Sequence, residues 1–407
     1  MRTIALAVSL IFSFMIPWEG VVRLPGLGSG VKLMGYVLAG FWLATVLITR
    51  RLRKPGPFQI AASLFVLWHA ISVFWSGDPN RSIAHVVTWA QLLILVFVWW
   101  DLYTTRTAVL AGLQAFILGA YVAVGSAVGN YFAGSAFYTH YDRYSPGETN
   151  PDGFGFIMAL GIPVAWYLAS SKSTSRISHW LRFVNYAYIL AAFAGIALSG
   201  TRTALIASIV GMVYGMATLT RVRLWVRAAI LLLLISSVFY LIPYVQDLKS
   251  FQRLGTTGTE LTQGDLNNRT NVWREGLVAF VEHPLLGIGS NMYPTINSWG
   301  KAAHNSFIVV LVELGLIGSV FFASILAIVF ANAWRQPKWE SRFWMTVLAV
   351  WTLGSSTLTW THRKPTWLLL SLLIASAALF IRREEATPVL RSDQPEMQTM
   401  SHAQPST

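Results

Sequence analysis

The chain has 407 residues, of which 55% are hydrophobic and only 12% charged, with 18 tryptophans. No soluble fold of this length needs so apolar a composition, which leaves a protein that crosses a membrane several times. The lack of cysteine excludes disulfides, thiolate nucleophiles and cysteine-ligated zinc, and the net charge of +13 sits mostly beside the apolar runs, so it does not imply a nucleic-acid partner.

From the N-terminus, Met1-Arg2-Thr3 leads into an apolar run followed by Pro17, Trp18 and Glu19 without a small-residue cleavage site, so this run is expected to be a retained helix. Twelve apolar runs follow one another, at about 4–18, 31–49, 58–75, 83–100, 108–128, 153–169, 183–198, 203–219, 228–243, 305–333, 343–359 and 366–381. Each approaches the roughly 20 residues that span a bilayer, and the shorter ones are candidates for broken or tilted helices. Basic clusters follow the even-numbered runs: Arg50, Arg51, Arg53 and Lys54; Lys172, Arg176 and Arg182; Arg221, Arg223 and Arg227; Arg335, Lys338 and Arg342; Arg382 and Arg383. The positive-inside rule then puts these loops and both termini in the cytoplasm. Segments 76–82, 129–152, 199–202 and 244–303 fall outside. The fold class is therefore all-α: about 12 transmembrane helices over residues 1–383, an outer loop over 244–304 that contributes to a site, and a disordered cytoplasmic tail over 384–407. No internal repeat is visible, and Asn268-Arg269-Thr270 matches a glycosylation sequon only as a short chance pattern.

In the long outer loop, Trp273, Leu277, Phe280 and Val281 recur at helical spacing and predict an amphipathic helix on the membrane surface with Arg269 near its start. A plain connecting loop with a surface helix would read the same way. Arg143, Arg202 and Arg269 lie on the outer side, against the charge bias, and each needs a partner. Ordinary ion pairs with outer acids such as Asp142, Glu148, Asp152 or Glu275 are one account. A diphosphate is the other, since guanidinium groups bind phosphoryl oxygens bidentately and stay charged. No Asp-x-Asp or His-Glu-x-x-His pattern calls for a metal, and no cofactor is implied. His304-Asn305-Ser306 stands where water gives way to the tenth apolar run. Its imidazole has the proton affinity of a base for a sugar hydroxyl, or else caps the helix and anchors it at headgroup level. Glu313, nine residues on, would lie about 180° round and about 13 Å deeper on a straight helix, so a structural pairing with a neighbouring span is expected for it. His69 and His85 read as packed polar residues, and Gly287, Gly289 and Gly300 as turn positions.

Three blocks in order carry a family resemblance: Arg269 with Trp273, then His283-Pro284-Leu285-Leu286-Gly287-Ile288-Gly289, then His304-Asn305-Ser306 with Glu313-Leu314-Gly315. Together they resemble the O-antigen ligase family, which also holds Wzy-type polysaccharide polymerases. Ser199-Gly200-Thr201-Arg202 is similar to its second hallmark, and Arg143, Gly147, Asn150 and Gly153 echo a further loop more loosely. The resemblance implies a GT-C-like, metal-independent, inverting glycosyltransferase of a Gram-negative inner membrane, working at the periplasmic face. Its donor would be an undecaprenyl-diphosphate-linked glycan, and its acceptor a saccharide hydroxyl of lipid A–core (ligase) or of a growing polysaccharide (polymerase). Arg202 and Arg269 would hold the diphosphate, with Arg143 as a further candidate, and His304 would be the catalytic base. The ligase is the reading preferred, and a protein O-oligosaccharyltransferase would carry an added outer domain. A lipid-linked-sugar transporter or flippase is the alternative from another class, although transporters gather ionisable residues near the midplane rather than at one face.

Overall fold

In a chain this apolar, backbone hydrogen bonding inside the bilayer can be satisfied only within helices or closed barrels. The computed structural model describes residues 1–218 apart from 25, 27, 139–141 and 172–175, then 269–392, and the isolated positions 224, 228, 232 and 236. Its helices are α1 (Arg2–Met15), α2 (Gly30–Thr49), α3 (Pro57–Ile71), α4 (Pro79–Leu102), α5 (Arg106–Phe132), α6 (Pro151–Ser170), α7 (Arg176–Ser199) and α8 (Arg202–Thr218), followed by α9 (Arg269–Glu282), α10 (Tyr293–Ile296), α11 (Ser306–Trp334), α12 (Lys338–Ser355) and α13 (Lys364–Ser392).

Seven described helices are long and apolar enough to cross a membrane, and Arg2–Trp18, Arg202–Thr218 and Lys364–Phe380 are shorter apolar helices. Every expected crossing among the described residues coincides with a helix. The run at 228–243 lies almost wholly outside them, as does the part of the outer loop before Arg269. Helix α13 continues to Ser392, into the segment expected as a tail from 384, and 393–407 lie outside the described residues. One small departure from an all-α fold is a hairpin of β1 (Arg23–Leu24) and β2 (Gly28–Ser29), two residues each, which is too short to leave an alternating pattern in the sequence.

Local chemistry fixes the helix starts. Prolines open α3, α4 and α6, where the missing N–H costs nothing. Asp78 and Asn150 precede two of them and accept backbone N–H groups of Arg81 and Asp152. Successive connections alternate between two ends of the bundle. At one end Asp101 accepts from Arg2 (2.7 Å), from the Arg53 N–H (2.8 Å) and from the Trp42 indole (3.1 Å), while Arg106 pairs with Glu340 at 3.1 Å. Segments 142–150, 199–201, 297–305 and 356–363 lie at the other end, where Arg143 bonds Ser199 and Thr201, and Ser306 bonds Leu358.

Helix α6 is the axis of the bundle. Nearly all of it is buried, between α5, α7, α8 and α12. Small residues let its neighbours approach: a Cβ at Gly155 would lie 2.9 Å from Thr201 Cβ, and one at Gly161 would collide with the Tyr188 hydroxyl. Gly155→Val should therefore overpack the contact of α6 with the 199–201 turn and destabilise the protein by about 1–3 kcal/mol, read as a lower melting temperature in detergent; an unchanged value would contradict this packing.

Candidate active site

The outer half of α11 is shaped by a break. Gly315 has φ 66° and ψ −165°, a conformation open to glycine and costly to other residues. The turn after α9 inserts there: the Ile288 N–H donates to the Val312 carbonyl (3.1 Å) and the Gly289 N–H to that of Glu313 (2.9 Å). Past the break, the Leu316 and Ile317 N–H groups donate to the carbonyls of Pro284 (2.9 Å) and Leu285 (3.3 Å). The Trp68 indole donates to the Leu314 carbonyl at 3.0 Å. The exchange works only with bare backbones, since a Cβ at Gly287 would strike the Glu313 carbonyl and one at Gly315 that of Leu285. The Pro-Leu-Leu-Gly-Ile-Gly and Glu-Leu-Gly blocks are thus two halves of one joint.

The Glu313 carboxylate accepts the backbone N–H groups of Asn291 (2.8 Å) and Tyr293 (3.0 Å). It holds backbone, as a structural residue does, but its partner is the returning 291–293 segment rather than a neighbouring span. Straight-helix geometry sets Glu313 away from His304, yet both line one cavity. The reason is that His304 precedes the helix, in a left-handed conformation (φ 49°) that frees its side chain from the helical period.

Helix α9 packs on α11 through Val272, Gly276 and Ala279, which with Tyr293, Ala303, Val309 and Val312 build a small core of their own. The expected apolar stripe divides: Trp273 and Phe280 pack against this core, whereas Leu277 and Val281 are 43% and 75% exposed. A period-matched stripe does not distinguish a face on protein from one open to lipid. The Tyr293 hydroxyl donates to the Val272 carbonyl (2.9 Å), and the Trp273 indole to the Ala303 carbonyl (2.7 Å). Trp273 therefore clamps the residue just before His304. On its other side Asn305 caps α11, accepting from the N–H groups of Phe307 (3.0 Å) and Ile308 (3.1 Å).

Around this histidine the charges gather. Arg269 opens α9 and donates to the Thr357 carbonyl at 3.1 Å. Thr357 in turn bonds Thr203, in the first turn of α8 beside Arg202, at 2.9 Å. Burial pulls the Arg269 guanidinium below its ordinary value; Asp152 opposes this, and the charge of Arg202 adds to it. Burial likewise lowers the His304 imidazole, helped by Arg269 and Lys301 and opposed by Asp152. Arg202, Arg269, Asp152 and His304 thus share one electrostatic neighbourhood. His304 is half-buried, and its imidazole makes no hydrogen bond among the described residues. Arg143 has a different setting. It is 4% exposed, donates to the Ser199 carbonyl (2.6 Å) and Thr201 hydroxyl (3.1 Å), and pairs with Asp152 at 2.6 Å. It braces the turn that ends in Arg202.

Behind His304 opens a cavity of about 750 Å³, lined by Asp152, Asn291, Tyr293 and Glu313, by His69, His85 and Trp89, and by the 358–365 connection. His69 and His85 do have partners: their Nδ1 atoms bond the Ser290 hydroxyl at 2.7 and 2.9 Å. The connection from Thr357 to Lys364 went unflagged in the sequence. Its signal was Arg363-Lys364 after an odd-numbered run, against the charge alternation.

The family model described as O-Antigen ligase (Wzy_C) matches residues 187–323, which include Arg202, Arg269, His304 and both halves of the Gly315 joint. Among curated proteins, the chain is 25% identical over 342 residues to the exopolysaccharide production protein ExoQ of Rhizobium meliloti, covering 77% of this chain and 73% of that one.

The joint has a direct test. Glu313→Ala leaves two buried N–H groups without an acceptor, at about 1–3 kcal/mol each. We expect lower thermal stability and faster protease cleavage within 284–300, with Glu313→Gln milder because one acceptor oxygen is kept.

Proposed function

We propose that the chain is a member of the O-antigen ligase family whose model it matches over 187–323, and that it is a membrane glycosyltransferase moving a glycan from undecaprenyl diphosphate to a sugar hydroxyl at the periplasmic face of the inner membrane. One observation carries this: His304 is held in a left-handed conformation between the Trp273 clamp and the Asn305 cap, with an unpartnered imidazole on the cavity wall and the Arg269 charge beside it. In the proposed step the acceptor hydroxyl attacks the anomeric carbon and gives its proton to the His304 imidazole. The bond from that carbon to the phosphate oxygen breaks, and undecaprenyl diphosphate leaves with the electron pair. Attack from the face opposite the leaving group inverts the anomeric centre. Arg202 and Arg269 neutralise the charge that grows on the diphosphate, in a site where burial strengthens each interaction. Arg143, paired with Asp152, acts as the brace for Arg202 rather than as a third ligand. Twelve crossings with both termini cytoplasmic remain our reading of the topology.

The acceptor separates ligase from polymerase. The likeness to an exopolysaccharide production protein favours a growing polysaccharide chain, the polymerase reading, over lipid A–core.

The assay is release of undecaprenyl diphosphate by purified protein in detergent, given a lipid-diphosphate-linked glycan and an acceptor; a flippase would make no new bond. His304→Ala and Arg269→Ala should each lower turnover at least about 100-fold while the protein stays folded and membrane-inserted, and near-normal turnover in either would remove the assignment. Because the base must be neutral and its pKa lies below 6.5, kcat/KM should be flat around pH 7 and fall only as pH drops through that lower value. An acid limb at or above 6.5 would count against His304. Turnover should also persist in EDTA; a loss restored by magnesium would contradict a charge-neutralising role for the two arginines alone.

A further inference from the structure

The cavity behind His304 has a wall that the transfer step leaves unused. Arg202 and Arg269 do not line it, whereas His304 does, so the histidine stands between an arginine side and the cavity. On that further wall the 358–365 connection carries His362, Arg363 and Lys364, close to Glu19 and to His85 of α4. The His85 and His362 rings meet edge to face at 5.3 Å.

Three cations line the cavity. Arg23 pairs with Glu148 at 2.7 Å, and Lys364 pairs with Glu19. Arg363 differs: its guanidinium lies over the Trp360 ring at 5.9 Å and makes no hydrogen bond or ion pair among the described residues, its backbone N–H alone donating to the Trp360 carbonyl at 3.2 Å. Its side chain is exposed and forms part of the cavity wall. Desolvation by the surrounding protein draws its guanidinium below the ordinary value, with Glu19 only partly opposing. His362 beside it is held well below the usual histidine value by burial and by Arg363, so it is neutral and able to bond hydroxyl groups. A guanidinium on a cavity wall, with its donors unclaimed among the described residues, is a receptor for anionic oxygens.

We propose that Arg363, with His362 and His85 beside it, forms an acceptor subsite that takes the anionic group of an acidic saccharide, a carboxylate or a phosphate on a sugar whose hydroxyl reaches His304. The subsite rests on the glycosyltransferase reading for its meaning, since it puts the acceptor in the cavity and the lipid diphosphate on the arginine side. It narrows the acceptor class from any saccharide to a charged one.

Binding without any donor tests it apart from catalysis. The full chain in detergent is dialysed to equilibrium against glucuronosyl-glucose, 6-phosphoglucosyl-glucose and the neutral glucosyl-glucose of the same linkage. At least one acidic probe should bind tenfold or more tightly than the neutral one, and which one does so distinguishes carboxylate from phosphate. Arg363→Gln should erase that preference and Arg363→Lys keep part of it, while Arg202→Gln leaves it intact; melting curves check that each variant is folded. Equal binding of acidic and neutral probes by the unaltered chain would overturn the subsite. So would a preference that survives Arg363→Gln or vanishes equally in Arg202→Gln. A chain that prefers the acidic probe but transfers nothing would refute the enzyme reading and leave the subsite standing. Transfer to acidic and neutral acceptors alike, with no preference in binding, would refute the subsite alone.

Discussion

The site depends on an exchange of backbone hydrogen bonds between a broken helix and a turn. A helix interrupted inside a membrane leaves carbonyl and N–H groups that no water can satisfy. Here the turn after α9 supplies donors to Val312 and Glu313 and acceptors to Leu316 and Ile317, and the Glu313 side chain holds the segment from Asn291 to Tyr293 that follows. The cost of breaking α11 is thereby offset, and the outer loop is tied to a membrane helix at several points. Helix α9 is held through Tyr293, and with it Arg269 and the Trp273 clamp on the residue before His304. His304 sits at the edge of this joint, not inside it.

Charge placement follows from the same frame. Two arginines in one buried neighbourhood repel each other, which costs stability unless an anion is present. Asp152, at the start of the most buried helix, gives part of that compensation, but Arg143 already claims it at 2.6 Å. In the proposed reaction, the donor diphosphate would bring these two guanidiniums the negative charge that a single shared carboxylate does not.

Much of this was legible in the sequence, because hydropathy and charge bias report directly on bilayer crossing and the site residues come in spaced blocks. The failures share a cause. Glu313 was judged on the geometry of a straight helix, whereas His304 precedes that helix in a backbone conformation outside its period. The stripe on α9 was assigned to one surface although Trp273 and Val281 end on different ones, since periodicity gives a direction without saying what lies there. Arg143 and Arg202 look alike in sequence as outer arginines, and only packing shows that the first is enclosed with its carboxylate. The 357–364 connection is too short to leave a pattern of its own, and its two cations, Arg363 and Lys364, depart from the charge alternation that the other clusters follow.

One hydroxyl joins the parts in a way that has evolutionary weight. Ser306, two residues after His304, donates to the Leu358 carbonyl (2.7 Å) and accepts the Trp360 N–H (2.9 Å). The connection that shapes the far cavity wall is therefore pinned to the first residue of the helix that His304 precedes. Drift in that connection, the natural place to retune substrate choice, is transmitted to the reacting end within a few bond lengths. Substrate range and turnover in this architecture should diverge together rather than as separate traits.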